Sequence, residues 1–304
     1  MSNIPRPAVL LSGGTGLIGG ALKPALESSG ARVVRLTRGQ PAGPDEIHWD
    51  PMQRLGLISG VSLQECTAAV HLSGANVAAH RWTESYKRTI VESRVQSTRM
   101  LVELLSALRQ PPRVLVVASA VGIYGERGDE VLTESSAPGS GFLAEVCKAW
   151  EQASEPAEDS GIRLVRLRFG VVLTPHGGAL KKMLPIFRAG FGGKLGDGRQ
   201  WTSWVSLEDA VRAIVFALEE GTVSGALNVT APEPVTNAEF TRTLGQVLHR
   251  PTVLGVPAFA LRAAFGQMAQ ETVLASTRAI PVALETAGFR FHHERLQSAL
   301  NAML

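Results

Sequence analysis

A glycine-rich turn near the N-terminus constrains the fold of this chain more than any other feature. The apolar run 8–12 leads directly into Gly13-Gly14-Thr15-Gly16-Leu17-Ile18-Gly19, and an amphipathic stretch follows to about residue 29. At this spacing Gly13 permits a tight turn, Gly16 lets the backbone approach a phosphate, and Gly19 lets helix and strand pack closely. The helix N-terminus adds unpaired N–H groups and a positive dipole. The pattern predicts dinucleotide binding, with contacts at Gly13, Thr15, Gly16, Leu17, Ile18 and Gly19.

Short β-branched runs alternate with longer amphipathic stretches along most of the chain. The predicted strands are 8–12, 32–37, 46–49, 68–72, 114–119, 163–169 and 226–229. Several are apolar almost throughout, which is typical of strands buried on both faces of a parallel sheet. The pattern predicts an α/β fold, a Rossmann-type doubly wound parallel sheet of about seven strands, with a smaller and mostly helical C-terminal lobe.

The length of 304 residues exceeds what one hydrophobic core usually organises, so two lobes are expected. Residues 1–173 form the predicted dinucleotide-binding domain, and 203–230 return to it. The glycine-rich segment 174–202 and the helical segment 231–304 form the predicted substrate lobe.

Composition excludes several classes of protein. Charged residues make up 19% of the chain, the net charge is +3, and no apolar stretch is long enough to cross a bilayer. Without such a stretch we expect no membrane as partner. Because arginines are scattered without a basic stripe, we expect no nucleic acid either. Cys66 and Cys147 are too few for a disulfide framework or a metal cluster, and we expect buried thiols, no metal and a cytoplasmic location.

The end of the second predicted strand indicates which dinucleotide binds. An NAD site places a carboxylate there, but no acid occurs between Ser28 and Pro44. Thr37 and Arg38 stand there instead, and a guanidinium can pair with the 2′-phosphate of NADP(H). Alternatively, Arg38 is a solvated loop residue. Asp50 is placed to accept from the adenine amino group, although an aspartate before proline is equally good turn chemistry.

Further motifs follow the later strands in a set order. They are Leu72-Ser73-Gly74, Ser119 with Ile123-Tyr124-Gly125, Gly196-Asp197-Gly198 and residues 204–209. With the glycine turn, they make nearly the whole chain resemble the extended short-chain dehydrogenase/reductase superfamily. A narrower set resembles its atypical "epimerase family" branch, which ends in a small C-terminal domain of unknown function: Trp49-Asp50-Pro51, Arg81-Trp82-Thr83, Ser93-Arg94, residues 142–147 with Trp150-Glu151, and residues 287–291.

The resemblance implies catalytic residues but also an irregularity. The superfamily uses a tyrosine and a lysine one helical turn apart, and Lys148 matches the lysine while Ala144 stands where the tyrosine belongs. Tyr124 is the phenol near the predicted nicotinamide, as either a substitute acid or a pocket wall. Ser119 polarises a carbonyl or binds solvent, and Glu145 is a weaker candidate base.

The resemblance also implies further binding residues. Those assigned to the cofactor are Leu72, Ser73, Gly74, Arg94, Lys148 and Phe169. Alternatively, Arg94 is a solvated helix residue, which is the commoner role of a helix arginine. Tyr124, Phe142, Trp201 and Trp204 could line an apolar substrate pocket with Phe169, although aromatic residues at such positions also form plain core. Thr202 stands where nucleotide-sugar enzymes carry a diphosphate-binding arginine, which disfavours such a substrate unless Arg199 substitutes.

Three functions therefore stay open. The first is an NADP(H)-dependent oxidoreductase acting on an unidentified small carbonyl or alcohol. The second is a non-catalytic NADP(H)-binding regulator, which Ala144 favours because the expected catalytic tyrosine is missing there. The third, a sugar epimerase, follows only from the superfamily, and fold does not fix function. A homodimer is also possible.

Overall fold

The computed structural model describes residues 7–51, 55–58 and 63–304, so a few residues of the predicted first domain lie outside it. The main sheet has eight strands, and seven of them are parallel. In chain order these are β1 (Ala8–Ser12), β2 (Arg32–Thr37), β3 (Glu46–Asp50), β4 (Leu55–Ile58), β5 (Cys66–His71), β6 (Val114–Ala120), β8 (Arg163–Phe169) and β12 (Gly225–Val229). The prediction of a doubly wound α/β sheet is confirmed.

Shorter strands lie outside this sheet. They are β7 (Val131–Leu132), β9 (Val171–Leu173), β10 (Trp201–Thr202), β11 (Trp204–Ser206), β13 (Val235–Thr236) and β14 (Arg278–Ala279). They pair as β10 with β13, β9 with β11, and β7 with β14.

The order across the main sheet is β12-β8-β6-β5-β1-β2-β3-β4. The chain therefore builds outward from β1 in one direction and then from β5 in the other. β4 is antiparallel to β3 and forms an edge that the sequence did not predict. In such sheets ligands bind outside the carboxyl ends of the strands, where the order reverses, and that point here lies between β1 and β5.

The described residues form eleven α-helices, some of which cover both faces of the main sheet. They are α1 (Leu17–Ser28), α2 (Glu84–Ser106), α3 (Phe142–Gln152), α4 (Pro156–Asp159), α5 (Gly178–Arg188), α6 (Leu207–Glu219), α7 (Asn237–Leu248), α8 (Ala258–Phe265), α9 (Gln267–Glu271), α10 (Val282–Thr286) and α11 (Leu296–Met303). α1 packs on α6, and α2 packs on α3 and α4. No helix in the described ranges is long and apolar enough to span a bilayer.

The molecule holds two sizeable apolar clusters. The larger surrounds the main sheet, and the second joins α5, α7 and α11, with Leu180, Leu244 and Leu300 fully buried. The C-terminal segment is shared between them, because Leu284, Phe289 and Phe291 pack into the larger cluster. Residues near the C-terminus thus complete the apolar core around the main sheet.

A buried carboxylate fastens that segment to α6. Asp209 is fully buried and accepts hydrogen bonds from the backbone N–H groups of His292 and His293 at 2.9 Å each. It also accepts from Ser206 Oγ at 3.0 Å and from Arg212 Nη1 at 2.8 Å. A buried carboxylate needs its hydrogen-bond donors, so the loss of any of these four would destabilise the fold.

Candidate functional site

The glycine turn takes the conformation that its spacing predicts. Gly13 has φ +75°, and a Cβ at this position would lie 2.7 Å from the backbone carbonyl of Leu72. A Cβ on Gly19 would clash with the carbonyl of Gly13, so the close approach of helix and strand requires glycine at both positions. α1 begins at Leu17 without a side-chain cap and without an acid in its first turn. Its N–H groups remain open to an anion.

A cavity of about 370 Å³ lies over this turn, at the reversal point of the sheet. Eight of the predicted cofactor residues line it: Gly13, Thr15, Gly16, Thr37, Arg38, Leu72, Ser73 and Gly74. Trp49, Glu92, Ser93 and Ser97 also line it and were not predicted. Leu17, Ile18 and Gly19 lie behind the lining, in the first turns of α1. A cavity with glycine backbone on one side and the ends of β2 and β3 on the other fits the pyrophosphate and adenosine of a dinucleotide.

The residues at the end of β2 leave one guanidinium available in this cavity. Arg38 is exposed and forms no ion pair with any described residue, whereas Arg35 is paired with the Glu46 carboxylate. Thr37 accepts a hydrogen bond from the Gly39 N–H at 3.2 Å. Arg38 is therefore free to meet an anion, and Arg35 is already neutralised. Asp50, at the end of β3, is not among the lining residues.

Arg94 is a largely buried cation that lies behind Gly74, one of the cavity residues, and is not itself among the lining residues. It donates hydrogen bonds to the carbonyls of Ile90 and Ala75 at 3.2 and 3.0 Å, and its guanidinium stacks on Trp150. A Cβ on Gly74 would lie 3.2 Å from its guanidinium carbon, so the charge lies directly against the cavity wall. Burial lowers the pKa of Arg94, and no described carboxylate pairs with it. A buried charge without a carboxylate partner is costly, and an anion bound against Gly74 would relieve part of that cost.

A histidine that the sequence analysis did not select lies beneath the cavity. His71 is fully buried between Ser12 and Ser97. Ser97 Oγ donates to the Ser93 carbonyl at 2.6 Å, so it accepts from His71 Nε2 at 3.2 Å. Ser12 Oγ then donates to His71 Nδ1 at 2.5 Å. Burial lowers the pKa of His71 from 6.5 to about 4, which keeps the ring neutral. The sequence feature that could have indicated His71 is its position near the end of an apolar strand.

The structure corrects the prediction for Tyr124. The side chain is fully buried, and its hydroxyl donates to Asn228 Oδ1 at 2.8 Å and accepts from Arg168 Nη1 at 2.9 Å. Burial raises the pKa of Tyr124. With both roles of its hydroxyl used and no exposed surface, Tyr124 belongs to the core. It is neither a substitute acid nor a pocket wall.

Ser119 belongs to the same buried network. Its hydroxyl donates to Glu151 Oε1 at 2.7 Å, and Arg168 binds both oxygens of Glu151 at 2.9 Å. Because its proton is directed to Glu151, Ser119 cannot donate to a substrate carbonyl in this arrangement. Glu151 and Arg168 were not predicted as network residues; a charged residue in the apolar strand 163–169 was the signal.

Lys148 and Ala144 lie one turn apart on α3, as the spacing predicts. The Lys148 ammonium pairs with Glu145 on a partly exposed face. Ala144 lines a separate cavity of about 90 Å³, bounded by Gly122 and Leu143 on one side and by Gln270, Glu271 and Thr277 of the C-terminal segment on the other. Glu271 Oε2 accepts from the Leu143 N–H at 2.8 Å and so caps α3, which has no cap of its own. The C-terminal segment thus forms one wall of the cavity beside Ala144.

The predicted aromatic pocket does not form. Trp204 is fully buried and donates its indole N–H to the Glu233 carbonyl at 3.0 Å. Trp201 donates to Asp129 Oδ1 at 2.8 Å, and Phe142 packs edge-on against Trp82. Phe169 lies in the core of the main sheet, and so it is not among the cavity residues. Each ring packs against a different neighbour, so these residues do not share one pocket.

The sequence profile of the NAD dependent epimerase/dehydratase family matches residues 9–230, which is most of the chain and includes the glycine turn and cavity. The chain belongs to this family. A second profile, of a domain of unknown function, matches residues 256–303. The resemblance to the epimerase family branch with its extra C-terminal domain is therefore confirmed.

Relatives match this family member along almost their whole length. An epimerase family protein of Mycobacterium bovis is 47% identical over 294 residues, covering 96% of both chains. The epimerase family protein YfhF of Bacillus subtilis is 36% identical over 299 residues, covering 97% of both. The crystal structure of human epimerase family protein SDR39U1 with NADPH is 34% identical, with a TM-score of 0.89 over 97% of this chain and 98% of that one. MoeE5 in complex with UDP-glucose and NAD, 21% identical with a TM-score of 0.73, shares the fold.

Proposed function

We propose that this family member is an NADP(H)-dependent oxidoreductase of the extended short-chain dehydrogenase/reductase type. One observation carries the proposal: the cavity over the glycine turn ends on Arg38, an exposed guanidinium without an ion-pair partner among the described residues. The likeness to the human protein crystallised with NADPH supports the choice of cofactor.

Each part of the cavity has a role toward the dinucleotide. The N–H groups at the start of α1 would hold the pyrophosphate, and the absence of a Cβ on Gly13 and Gly16 lets it approach. Arg38 and Thr37 would hold the 2′-phosphate. Once bound, the nicotinamide would supply hydride transfer.

The space beside Ala144 fits a small substrate. Its volume of about 90 Å³ holds only a few heavy atoms, which favours a small carbonyl or alcohol over a nucleotide sugar. Tyr124 is buried, and Lys148 shares the face of α3 with Ala144. Lys148 is therefore the candidate to bind the nicotinamide ribose and to exchange a proton with the substrate oxygen.

Cofactor titration tests the binding step. NADPH and NADH are titrated into the wild-type chain, Arg38→Ala and Arg109→Ala, with protein fluorescence as readout. We expect tighter binding of NADPH than of NADH in the wild type, and a loss of about tenfold or more of NADPH affinity in Arg38→Ala, because a charge-assisted hydrogen bond contributes roughly 1.5–3 kcal/mol. Arg109→Ala, an exposed arginine that does not line the cavity, should match the wild type. Equal binding of both cofactors by wild type and Arg38→Ala would refute the assignment.

A non-catalytic NADP(H)-binding regulator is the second candidate. Ala144 and the buried hydroxyl of Tyr124 favour it, because neither supplies an acid at the cavity. A panel of small aldehydes and ketones with NADPH separates the two candidates. An oxidoreductase consumes NADPH with at least one compound and loses that turnover in Lys148→Met, whereas a regulator binds NADPH and consumes none.

A further inference from the structure

An exposed apolar ridge runs along the C-terminal lobe. It consists of Ile186, Phe191, Val253, Leu254 and Phe259, all of which are at least half exposed. Val253 is 82% exposed, Phe259 73% and Phe191 64%. Large apolar side chains this exposed are normal singly, but a contiguous group of them marks an interaction surface.

Hydrogen bonds to backbone carbonyls join the two segments that carry most of the ridge. The Arg250 guanidinium donates to the Arg188 carbonyl at 2.8 Å, and the Val256 N–H donates to the Lys194 carbonyl at 2.8 Å. The Gly196 N–H then donates to the Val256 carbonyl at 2.9 Å. The segments 188–196 and 250–256 therefore run side by side, which brings Phe191 near Val253 and Leu254. Ile186 and Phe259 follow at the adjoining ends of α5 and α8.

Cations without acidic partners surround the ridge. Arg188, Lys194, Arg250 and Arg262 are all exposed, and none forms an ion pair with a described residue. Residues 178–199 and 250–265 together hold seven Lys or Arg and one acid, Asp197, a net charge of +6. The whole chain carries +3, so all its other residues together carry −3. These two segments therefore carry an excess of positive charge over the rest of the chain, and four of their cations are the exposed ones beside the ridge.

We propose that the ridge docks onto the surface of an anionic phospholipid bilayer. Its aromatic and aliphatic side chains would enter the boundary between headgroups and acyl chains, and the flanking cations would meet the lipid phosphates. A second copy of the chain is disfavoured because the same cations would face each other across the interface. A protein partner needs close shape complementarity, whereas a fluid bilayer accepts a protruding ridge.

This partner differs from the sequence expectation of no membrane. That expectation rested on the length of apolar runs, which reports spanning helices only. The ridge is assembled from two segments about sixty residues apart, so no sequence window contains it.

Vesicle co-sedimentation tests the proposal with the full chain. Vesicles of equal parts phosphatidylglycerol and phosphatidylcholine are compared with vesicles of phosphatidylcholine alone. We expect binding to the anionic vesicles at physiological ionic strength, at least about tenfold weaker binding to the neutral ones, and loss of binding at high salt.

Two pairs of variants assign the binding to the ridge. Phe191→Ser/Val253→Ser and Lys194→Gln/Arg262→Gln should each weaken vesicle binding by about tenfold or more while leaving the thermal unfolding temperature within a few degrees of wild type. Val131→Ser and Arg99→Gln/Arg109→Gln, exposed positions elsewhere, should bind vesicles as the wild type does.

Three results would overturn the proposal. The first is no binding to either vesicle, the second is equal binding to both, and the third is binding that both ridge variants retain. Sedimentation velocity without vesicles is run alongside. Self-association that the ridge variants abolish, together with absent vesicle binding, would identify a second copy as the occupant instead.

Discussion

The buried charge of Arg94 should raise the affinity of the cavity for an anion. Its guanidinium lies against Gly74 without a described carboxylate partner, so the unliganded protein carries the cost of that buried charge. We predict that Arg94→Met weakens NADPH binding by about tenfold to a hundredfold, the value of a charge-assisted hydrogen bond. The same change should leave the unliganded chain as stable as wild type or more so. Titration and thermal unfolding measure the two effects.

Arg94→Lys is the matched control, because it keeps the charge and loses the stacked plane on Trp150. It should recover part of the lost affinity. If Arg94→Met binds NADPH like the wild type, Arg94 is only a link between α2 and the loop at Ala75.

His71 gives the fold a pH dependence with a defined sign. Its pKa is lowered from 6.5 to about 4 by burial, so the folded state favours the neutral ring more than the unfolded state does. This contribution is fully present above about pH 6.5 and is lost as the pH falls toward 4, because the unfolded chain takes up the proton first. It amounts to roughly 3 kcal/mol at most. Urea unfolding across this pH range measures it.

His71→Asn should flatten the stability profile between pH 6.5 and 4, whatever its absolute stability. His249→Asn is the control, since His249 is exposed and has a positive φ of 54°, which asparagine tolerates. If the free energy of unfolding of His71→Asn depends on pH as steeply as that of the wild type, another group causes the pH dependence.

Residue-level prediction succeeded where the chemistry is local. The glycine turn and the pair Thr37-Arg38 reach the cavity because their roles depend on neighbours close in sequence. Tyr124 and Trp204 were misassigned because their burial depends on Asn228 and Glu233, which no spacing rule connects to them. Aromatic type alone does not distinguish a pocket wall from core.

At the level of elements, long apolar strands were predictable and short ones were not. β1, β2 and β8 begin and end at the predicted residues, and the other four predicted strands differ by one or two residues. β7, β10, β13 and β14 each have two residues, too few for any periodicity. They exist because tertiary packing brings distant segments together.

The attachment of the C-terminal segment to α6 depends on the charge of Asp209. We predict that Asp209→Asn destabilises the fold by about 3–5 kcal/mol, since the amide must turn an N–H toward groups that themselves donate. Hydrogen exchange should show the amides of His292 and His293 losing protection before the main sheet. Glu208→Gln, at the exposed neighbouring position, is the control and should change stability by less than about 1 kcal/mol.

If the amides of His292 and His293 stay protected from exchange in Asp209→Asn, apolar packing alone holds the C-terminal segment. Leu284, Phe289 and Phe291 would then be the anchor.

Across the whole molecule, the excess of positive charge and the cavity lie in different places. The cavity is built from the ends of β1, β2 and β5, whereas the excess of positive charge belongs to segments 178–199 and 250–265. The net charge of +3 conceals this separation, since it is the sum of +6 on these two segments and −3 on all other residues. Composition therefore predicted the class of protein but not the distribution of its charge.

The apolar contacts of Leu284, Phe289 and Phe291 set the order in which the chain can mature during synthesis. The parallel sheet is complete in sequence at Val229, yet part of its covering layer is encoded more than fifty residues later. A nascent chain that has emerged only through β12 exposes apolar surface that it cannot yet bury. A fragment that ends before Leu284 would leave that surface exposed and would be prone to aggregate.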